Sequence, residues 1–442
     1  MGKSNPVDKL YKMWYEDVPS RGAMLYAEST DGKTWTKPNL GLVELLGSKE
    51  NNCVLYQAEL SNVFLDPNAK DPQSRYSIFV WGGPFGENKV NGHILFTSGD
   101  GKHWNLVGPY RMPSYTDETT QSRNVCDTNF VMWDELGERY LGTYRTFPLH
   151  PGMIGWARDE EYNTFPREGG HRRAVGITMS KSLHEGWSPV QTMLRPDALD
   201  DEKVHALSKT DDPDYGELYI MPIFNYGNHY LGVVSLLFQV DASVETMGRK
   251  AGFSATDVQT GGGDLQLTFS DDGVHWNRQP DRQTLTAPSP SGLTPCYSVG
   301  NPPLVIGDEL WMYYTEATSA HPAPGHQAMI RAAVWRKDGF ASLDVEAQGS
   351  LETKSLQWEG AKLRVNLLTG EKGSIRIALL DEVGKVIPGY AATDCTPIVG
   401  DQVDAVAQWN GKSDLTSLKG QAIRLRFELT DSMLYSFHAA AE

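Results

Sequence analysis

The heptapeptide Ser29-Thr-Asp-Gly-Lys-Thr-Trp35 returns as Ser98-Gly-Asp-Gly-Lys-His-Trp104 and Ser270-Asp-Asp-Gly-Val-His-Trp276, so the three copies share the pattern S-x-D-G-x-x-W. A degenerate copy, residues 180–187, keeps the serine and the tryptophan. The successive tryptophans are roughly 70 to 90 residues apart, an interval that suits a blade of four strands with long loops. The repeat therefore indicates a chain built from similar β units.

The motif has the chemistry of a tight turn between two strands. The Asp side chain can accept hydrogen bonds from nearby backbone N–H groups, glycine adopts positive φ without strain, and Trp can cover the neighbouring core. We therefore interpret the motif as structural and not as catalytic.

Strand-like runs rich in aromatic and β-branched residues surround the motif copies. Second-strand runs occur at residues 10–15, 76–81, 140–144 and 310–314, and first-strand runs at 61–66, 127–133, 217–222 and 301–306. The first unit lacks an innermost strand before Leu10. These units predict an all-β protein that begins with a five-bladed β-propeller, over residues 1–342.

The pattern changes after about residue 341. Strict alternation of apolar and polar residues follows at 363–367, 375–377 and 423–429, which is typical of a half-buried antiparallel sheet. About 100 residues of this pattern predict a C-terminal β-sandwich, over residues 343–442.

Composition limits the partners. The 442 residues carry a formal net charge of −16, which disfavours nucleic acid and anionic lipid. No apolar run is long enough to span a membrane, and the four cysteines show no C-x-x-C spacing. We expect no metal, no cofactor, no nucleic acid and no membrane partner, and homo-oligomer formation stays open.

The compartment also stays open. The first residues contain no apolar segment of a signal peptide. A secreted or periplasmic location remains compatible with a trimmed N-terminus.

Candidate site residues collect at one end of the predicted blades, opposite the motif turns. Loops at one end of a rigid scaffold commonly build binding sites, and the two long insertions, about 146–173 and 239–263, both join second to third strands. We predict a walled pocket with Asp127 and Glu217 as a catalytic carboxylate pair. Its substrate-binding candidates are Asn62, Trp81, Arg145, Tyr314, Glu316 and His321.

Each candidate also has an ordinary structural interpretation. Asp127 could bond backbone N–H groups at a strand start, and Glu217 could follow a turn at Tyr215 and Gly216. Arg145 could form a surface salt bridge. Glu217 is the preferred general acid, because its neighbours Tyr215, Leu218 and Tyr219 could form an apolar wall that keeps a carboxyl protonated.

Three stretches carry a resemblance to a known family: residues 26–44 around the first motif, Asp127-Thr-Asn-Phe-Val-Met-Trp-Asp134, and Asp338-Gly-Phe-Ala-Ser-Leu-Asp344. They resemble bacterial proteins labelled glycosyl hydrolase family 32-like, over nearly the whole chain. The resemblance implies a five-bladed propeller with a C-terminal sandwich. The family 32 motifs W-M-N-D-P-N-G, R-D-P and E-C are absent, which disfavours fructan cleavage and leaves other glycosides open.

Three functions follow as hypotheses. The first is a glycoside hydrolase that acts on a poly- or oligosaccharide substrate through the carboxylate pair. The second is a non-catalytic carbohydrate-binding propeller, because a ring-lined pocket with few polar groups also describes a lectin site. The third is a structural interaction module, favoured if the pocket is filled by its own side chains.

Overall fold

The computed structural model describes residues 8–17, 22–56, 58–59, 62–86, 90–109, 115–117, 120–123, 129–158, 164–207, 214–239, 263–286, 294–297, 302–317 and 328–441. Within these ranges the chain is mostly β and contains one α-helix. It divides into two compact units. One comprises Met1–Leu304 and Trp311–Ala333, and the other comprises Val305–Leu310 and Val334–Glu442.

The three full motif copies form identical turns, as the sequence predicts. In the first copy, Ser29 Oγ accepts from the Gly32 amide at 2.9 Å, and Asp31 Oδ1 accepts from the amides of Lys33 and Thr34 at 2.8 and 2.7 Å. The other two copies repeat these bonds. The motif glycines have φ values of 74°, 80° and 75°, a region where only glycine is unstrained.

Four sheets follow one another along the first unit, and a fifth sheet comes next in the chain. The first contains strands Tyr11–Asp17, Ala23–Ser29 and Cys53–Leu55. The second contains Ala58–Glu59, Val63–Leu65, Tyr76–Phe85, Val90–Ser98 and Asn105–Pro109. In both, the strand order is the chain order, and the first sheet shows no strand inside Tyr11–Asp17 among the residues described.

The third and fourth sheets have the same order. The third contains Asn129–Asp134, Arg139–Thr146, Ala174–Ser180 and Gln191–Leu194. The fourth contains Tyr215–Leu218, Ile223–Tyr226, His229–Gln239, Gly263–Ser270 and Asn277–Arg278. Tyr215–Leu218 and Ile223–Tyr226 both pair with His229–Gln239 and together take the place of one first strand. Both predicted insertions therefore join a second to a third strand. The fifth sheet contains Thr294–Tyr297, Leu304–Ile306, Glu309–Ala317 and Ala328–Arg336.

The remaining elements of this unit are short. The insertion of the third sheet carries a hairpin of strands Ile154–Arg158 and Thr164–Glu168. Strands Tyr115–Asp117 and Thr120–Arg123 pair with each other, and a 3-10 helix covers Pro72–Ser74. Helix α1, Ala198–Leu207, precedes the fourth sheet.

Apolar clusters lie between successive sheets. Met24, Ile78 and Phe96 belong to a cluster shared by the first two sheets, and Phe79 and Val131 to one shared by the second and third. A further cluster joins the third and fourth sheets through Phe130, Ile177 and Val234, among other side chains. The sheets therefore bury apolar side chains on both faces, which explains why their strands show little period-two alternation.

The second unit has its own core. Its sheet contains Leu343–Glu352, Leu356–Gln357, Lys362–Asp381, Asp401–Val406 and Ala422–Ala440, and a 3-10 helix covers Thr416–Leu418. In the last strand Ile423, Leu425 and Phe427 are buried, while Arg424 and Arg426 between them are not. This confirms the alternation predicted for the C-terminal region. The predicted limit between residues 342 and 343 stays a prediction.

Candidate active site

The candidate residues of the third and fourth sheets lie at the end away from the motif turns. In the third sheet the motif serine Ser180 pairs with Tyr140, and Arg145 pairs with Val175 at the other end. In the fourth sheet Ser270 pairs with Tyr230, while Glu217 pairs with Leu237. Five residues of extended strand separate these ends in the third sheet and seven in the fourth, which corresponds to about 17 and 23 Å. The predicted separation of turns and candidate residues is confirmed within these two sheets.

Glu217 lies on the first strand of the fourth sheet and is fully buried. Its Oε1 accepts from the backbone N–H of Arg173 at 2.8 Å. Its Oε2 accepts from the Arg173 guanidinium and, at 2.9 Å, from Gln239 Nε2. Both partners stand where an insertion meets a strand, since Arg173 ends the first insertion and Gln239 begins the second.

These contacts change the environment expected for Glu217. The sequence suggested an apolar wall, but the carboxylate faces a guanidinium, a backbone amide and a side-chain amide. Hydrogen bonds of this kind, in which a charged group takes part, are stronger than neutral ones. The two carboxylate oxygens therefore contact hydrogen-bond donors and not an apolar wall, and the role of Glu217 as the general acid stays a prediction.

Arg145 is brought close to this carboxylate through a shared aromatic ring. Its guanidinium carbon lies 4.8 Å from the ring centroid of Tyr219, and that of Arg173 lies 5.8 Å from the same ring. Arg145 is also 5.7 Å from the Phe147 ring and is 8% exposed. Two guanidinium groups thus share one tyrosine, an arrangement favoured by the negative face of the ring.

The space beside Arg145 is small. A shallow cavity lined by residues that include Arg145, Tyr219 and Met221 has essentially no room for a water molecule. Ligand sites commonly measure about 300 to 1,000 Å³. This cavity is therefore a part of a pocket at most, and the predicted walled pocket stays a prediction.

A buried ion pair fixes the segment that carries Arg173. Arg172 is wholly buried, and its Nη1 and Nη2 donate to the two carboxylate oxygens of Asp201 at 2.7 and 3.0 Å. Arg172 Nε donates to the Ile154 carbonyl at 2.5 Å, and Asp201 Oδ1 accepts from the Gly216 amide at 3.0 Å. The insertion, helix α1 and the strand of Glu217 are therefore joined at one point.

His150 lies in the same insertion and is 5% exposed. Its Nδ1 is 3.1 Å from the Pro148 carbonyl oxygen, which indicates that Nδ1 carries the proton. Burial, followed by the charge of Arg172, lowers the pKa of His150 to about 4. The imidazole is therefore neutral at pH 7.

Ring contacts connect Trp81 of the second sheet to Tyr144 of the third sheet. The ring centroid of Trp81 is 4.8 Å from that of His93, and the His93 ring is 6.1 Å from the ring of Tyr144, the neighbour of Arg145 in sequence. Burial raises the pKa of Tyr144 far above its ordinary value. Trp81 and Arg145 are thus brought to the same end of adjacent sheets.

Tyr314 and Glu316 form a separate cluster on the fifth sheet. Tyr314 Oη donates to Glu316 Oε1 at 2.8 Å, and Arg331 Nε donates to Glu316 Oε2 at 3.1 Å. Burial, followed by the hydrogen bond to Glu316, raises the pKa of Tyr314 to about 12. Glu316 stands one residue before the end of its strand, as Arg145 does in the third sheet.

Asn62 bonds to backbone. Its Nδ2 donates to the Val131 carbonyl at 2.7 Å, and the Val131 amide donates to its Oδ1 at 2.8 Å. The side chain is 5% exposed and joins the second and third sheets. Its role in substrate binding stays a prediction.

Two candidates lie outside the described residues: Asp127 and His321. The interior of the second insertion, residues 240–262, also lies outside them. Within the described ranges, no group of three or more His, Cys, Asp or Glu side chains is arranged to hold a metal ion, and no helix there has the length and hydropathy to cross a membrane.

Arg173 and Gln239 were not among the sequence-based candidates. Both lie at strand ends next to the long insertions, so their position in the sequence is the feature that could have identified them. Their contacts with Glu217 span 44 and 22 residues, and no local pattern predicts such pairings.

Comparison with known proteins gives structural matches alone. No protein-family model and no curated protein matches the chain. Similar solved structures include a family 43 arabinoxylan arabinofuranohydrolase from Bacillus subtilis, with 10% identity, a TM-score of 0.32 and coverage of 100% of this chain and 78% of that chain. An exo-β-1,3-galactanase from Phanerochaete chrysosporium has 10% identity, a TM-score of 0.38 and coverage of 97% and 94%.

A family 32 β-fructofuranosidase from Bombyx mori is also similar, at 10% identity and a TM-score of 0.38, with coverage of 98% of this chain and 89% of that chain. The chain thus has glycosidases of families 43 and 32 among its structural neighbours. At this identity no residue of the chain can be matched to one of theirs.

Proposed function

We propose that the chain is a five-bladed β-propeller followed by a C-terminal β-sandwich, with the limit between residues 342 and 343. Four successive sheets whose strands follow the chain order, and a fifth sheet after them, support the propeller. Side chains join the first and second sheets through Trp14 and the Gly101 carbonyl, at 2.7 Å, and the fifth and first through Tyr313 and the Gly32 carbonyl, at 2.5 Å. A ring of blades requires the second of these contacts, because its last blade must meet its first.

We propose that this protein is a glycoside hydrolase that acts on a poly- or oligosaccharide. The observation that carries the proposal is Glu217, a fully buried carboxylate at the loop end of the fourth sheet, held by residues of both long insertions. Burying a charge is costly unless it is paired. A carboxylate maintained there by three donors therefore suits a functional role.

The ion pair of Glu217 with Arg173 suits the role of base or nucleophile. Asp127 is then the general acid, and the two carboxyl groups are expected roughly 5 to 10 Å apart, the range of retaining and inverting glycosidases. Arg145 and Trp81 are proposed to contact the sugar near Glu217. Asn62, Tyr314, Glu316 and His321 are proposed as outer contacts.

The test is hydrolysis of a glycan panel by the purified chain, followed by the variants Asp127→Asn and Glu217→Gln on any glycan that is cleaved. General acid–base groups contribute about 10² to 10⁴ in rate, so each variant should lose at least about 100-fold in kcat/KM. Glu28→Gln is the matched control, because Glu28 also pairs with a cation, Lys102 at 2.9 Å, but accepts its other hydrogen bond from Tyr26 and lies beside a motif turn. Activity within about tenfold of the parent in both test variants would exclude the pair.

A carbohydrate-binding propeller without catalysis is the second candidate. The observation that favours it is that both oxygens of Glu217 are already occupied by donors of the chain itself. In that case glycans bind, as measured by calorimetry, with no reducing ends released. Glu217→Gln then changes affinity but has no rate to change.

A further inference from the structure

Arg173 and Glu217 differ in their access to solvent. The side chain of Glu217 is 0% exposed, whereas that of Arg173 is 30% exposed. A molecule that enters from solvent therefore reaches the guanidinium before it reaches the carboxylate. The ion pair presents its positive member outward.

Arg173 also has unused capacity to donate hydrogen bonds. Its Nε is buried and has no hydrogen-bond partner among the residues that the structure describes, although a guanidinium carries five N–H donors in a planar fork. The guanidinium lies over Tyr219, as does that of Arg145. Planar forks of this kind bind carboxylate and sulfate groups through two parallel hydrogen bonds.

The overall charge does not oppose such binding strongly. The chain carries −16, but charges more than about 8 Å apart are largely screened at physiological ionic strength. The local pair of guanidinium groups therefore decides which ligands are attracted at this position.

We infer that the ligand of this site is an anionic saccharide, whose carboxylate or sulfate group binds Arg173 in competition with Glu217. The inference rests on the proposal that the ligand is a carbohydrate. When the anion takes Arg173, Glu217 loses its strongest partner and becomes available to the sugar. A neutral saccharide cannot displace Glu217 in this way, because its hydroxyl groups are weaker acceptors than a carboxylate.

The experiment is calorimetric binding with three probes: an oligouronide, the same oligosaccharide after reduction of its carboxyl groups, and a sulfated neutral oligosaccharide. The parent should bind one of the two anionic probes at least about tenfold more tightly than the carboxyl-reduced one, and the preference should shrink as salt increases. The two anionic arms distinguish a uronate from a sulfate ester. Equal affinity for all three probes, or no binding of either anionic probe, overturns the inference.

Variants of Arg173 test whether this residue binds the anionic group. Arg173→Gln should reduce the anionic preference to within about twofold, whereas Arg173→Lys should keep part of it. Arg75→Gln is the matched control, since Arg75 lies 5.7 Å from the Tyr76 ring, much as Arg173 lies over Tyr219, but at the motif end of its sheet. Circular dichroism verifies that each variant is folded. An unchanged preference in folded Arg173→Gln overturns the assignment.

Glu217→Gln gives the sharpest result. It removes the internal competitor for Arg173, so the affinity of the anionic probe relative to that of the carboxyl-reduced probe should rise severalfold. A relative affinity that falls in this variant contradicts the competition. Preferred cleavage of neutral glycans would refute the inference and leave the hydrolase proposal standing. Anion binding that depends on Arg173, without cleavage of any glycan, would leave the inference standing and contradict the hydrolase proposal.

Discussion

The neutral His150 links the stability of the first unit to pH. Its folded-state pKa of about 4 lies below the ordinary value of 6.5, so the unfolded chain binds the proton more readily. A group with a lowered folded pKa contributes stability that is lost as pH falls. The contribution of His150 should therefore decline from about pH 6.5 towards pH 4, by up to about 3 kcal/mol.

The measurement is denaturant unfolding of the parent and of His150→Gln between pH 7 and pH 4. Arg172, Arg195 and Glu217 are the charged groups that act on His150, and they are the same in both proteins. The gap in unfolding free energy should close as pH falls. His229→Gln, which replaces an exposed histidine, is the control. A gap that is constant with pH contradicts the prediction.

Single residues also show where sequence reasoning ends. The position of Glu217 at an inner strand next to two long insertions could be inferred from the repeat, because strand order fixes which loops meet. The identity of its partners could not. Arg172 and Arg173 are adjacent in sequence, yet one pairs with Asp201 and the other with Glu217, and this choice depends on how helix α1 packs.

Helix α1 is held by charge more than by apolar contact. Val204 is buried in the core that the third and fourth sheets share. Arg278 donates to both oxygens of Asp200, and these two side chains are 2% and 0% exposed. Lys203 pairs with Asp264, and Arg282 with Asp197. The helix was not foreseen, since its sequence shows no clear apolar stripe.

Removing one member of the buried pair should be costly. Arg278→Leu leaves the buried Asp200 carboxylate with Arg282, whose Nε is 4.0 Å away, as its remaining cationic partner. Breaking a buried ion pair in this way destabilises proteins by about 3 to 5 kcal/mol. The double variant Asp200→Leu with Arg278→Leu should regain most of this loss, because no unpaired charge remains. Both are measured by urea unfolding at pH 7. A double variant as unstable as the single one would show that apolar packing around α1, and not charge, fixes the helix.

The motif turns were the most predictable element, and the reason is local. Serine, aspartate and glycine satisfy each other within five residues, so no distant partner is needed. The structure adds a member that the sequence pattern missed. A tyrosine pairs across the sheet with the motif serine in each of the first four sheets: Tyr11, Tyr76, Tyr140 and Tyr230. Variable loop lengths hide this spacing in the sequence.

Two of these tyrosines, Tyr140 and Tyr230, also link neighbouring sheets through hydrogen bonds. Tyr140 Oη donates to Asp66 of the preceding sheet at 2.7 Å, and Tyr230 Oη donates to Asp134 at 3.0 Å. The same kind of contact recurs from sheet to sheet. A chain of such contacts builds an open stack or a closed ring, depending on whether the last sheet meets the first.

The contact that decides between them joins residues 278 positions apart in sequence. Trp35 Nε1 donates to Tyr313 Oη at 3.0 Å, and their rings meet edge to face with centroids 5.6 Å apart. If the sheets form a closed ring, a double-mutant cycle of Trp35→Phe and Tyr313→Phe should give a coupling energy of about 1 kcal/mol, within the range for residues in contact. A cycle that combines Trp35→Phe with Tyr140→Phe is the control and should be additive within about 0.5 kcal/mol. Additivity in both cycles, measured by urea unfolding, would mean that the fifth sheet does not meet the first in solution and that the propeller is not closed by this contact.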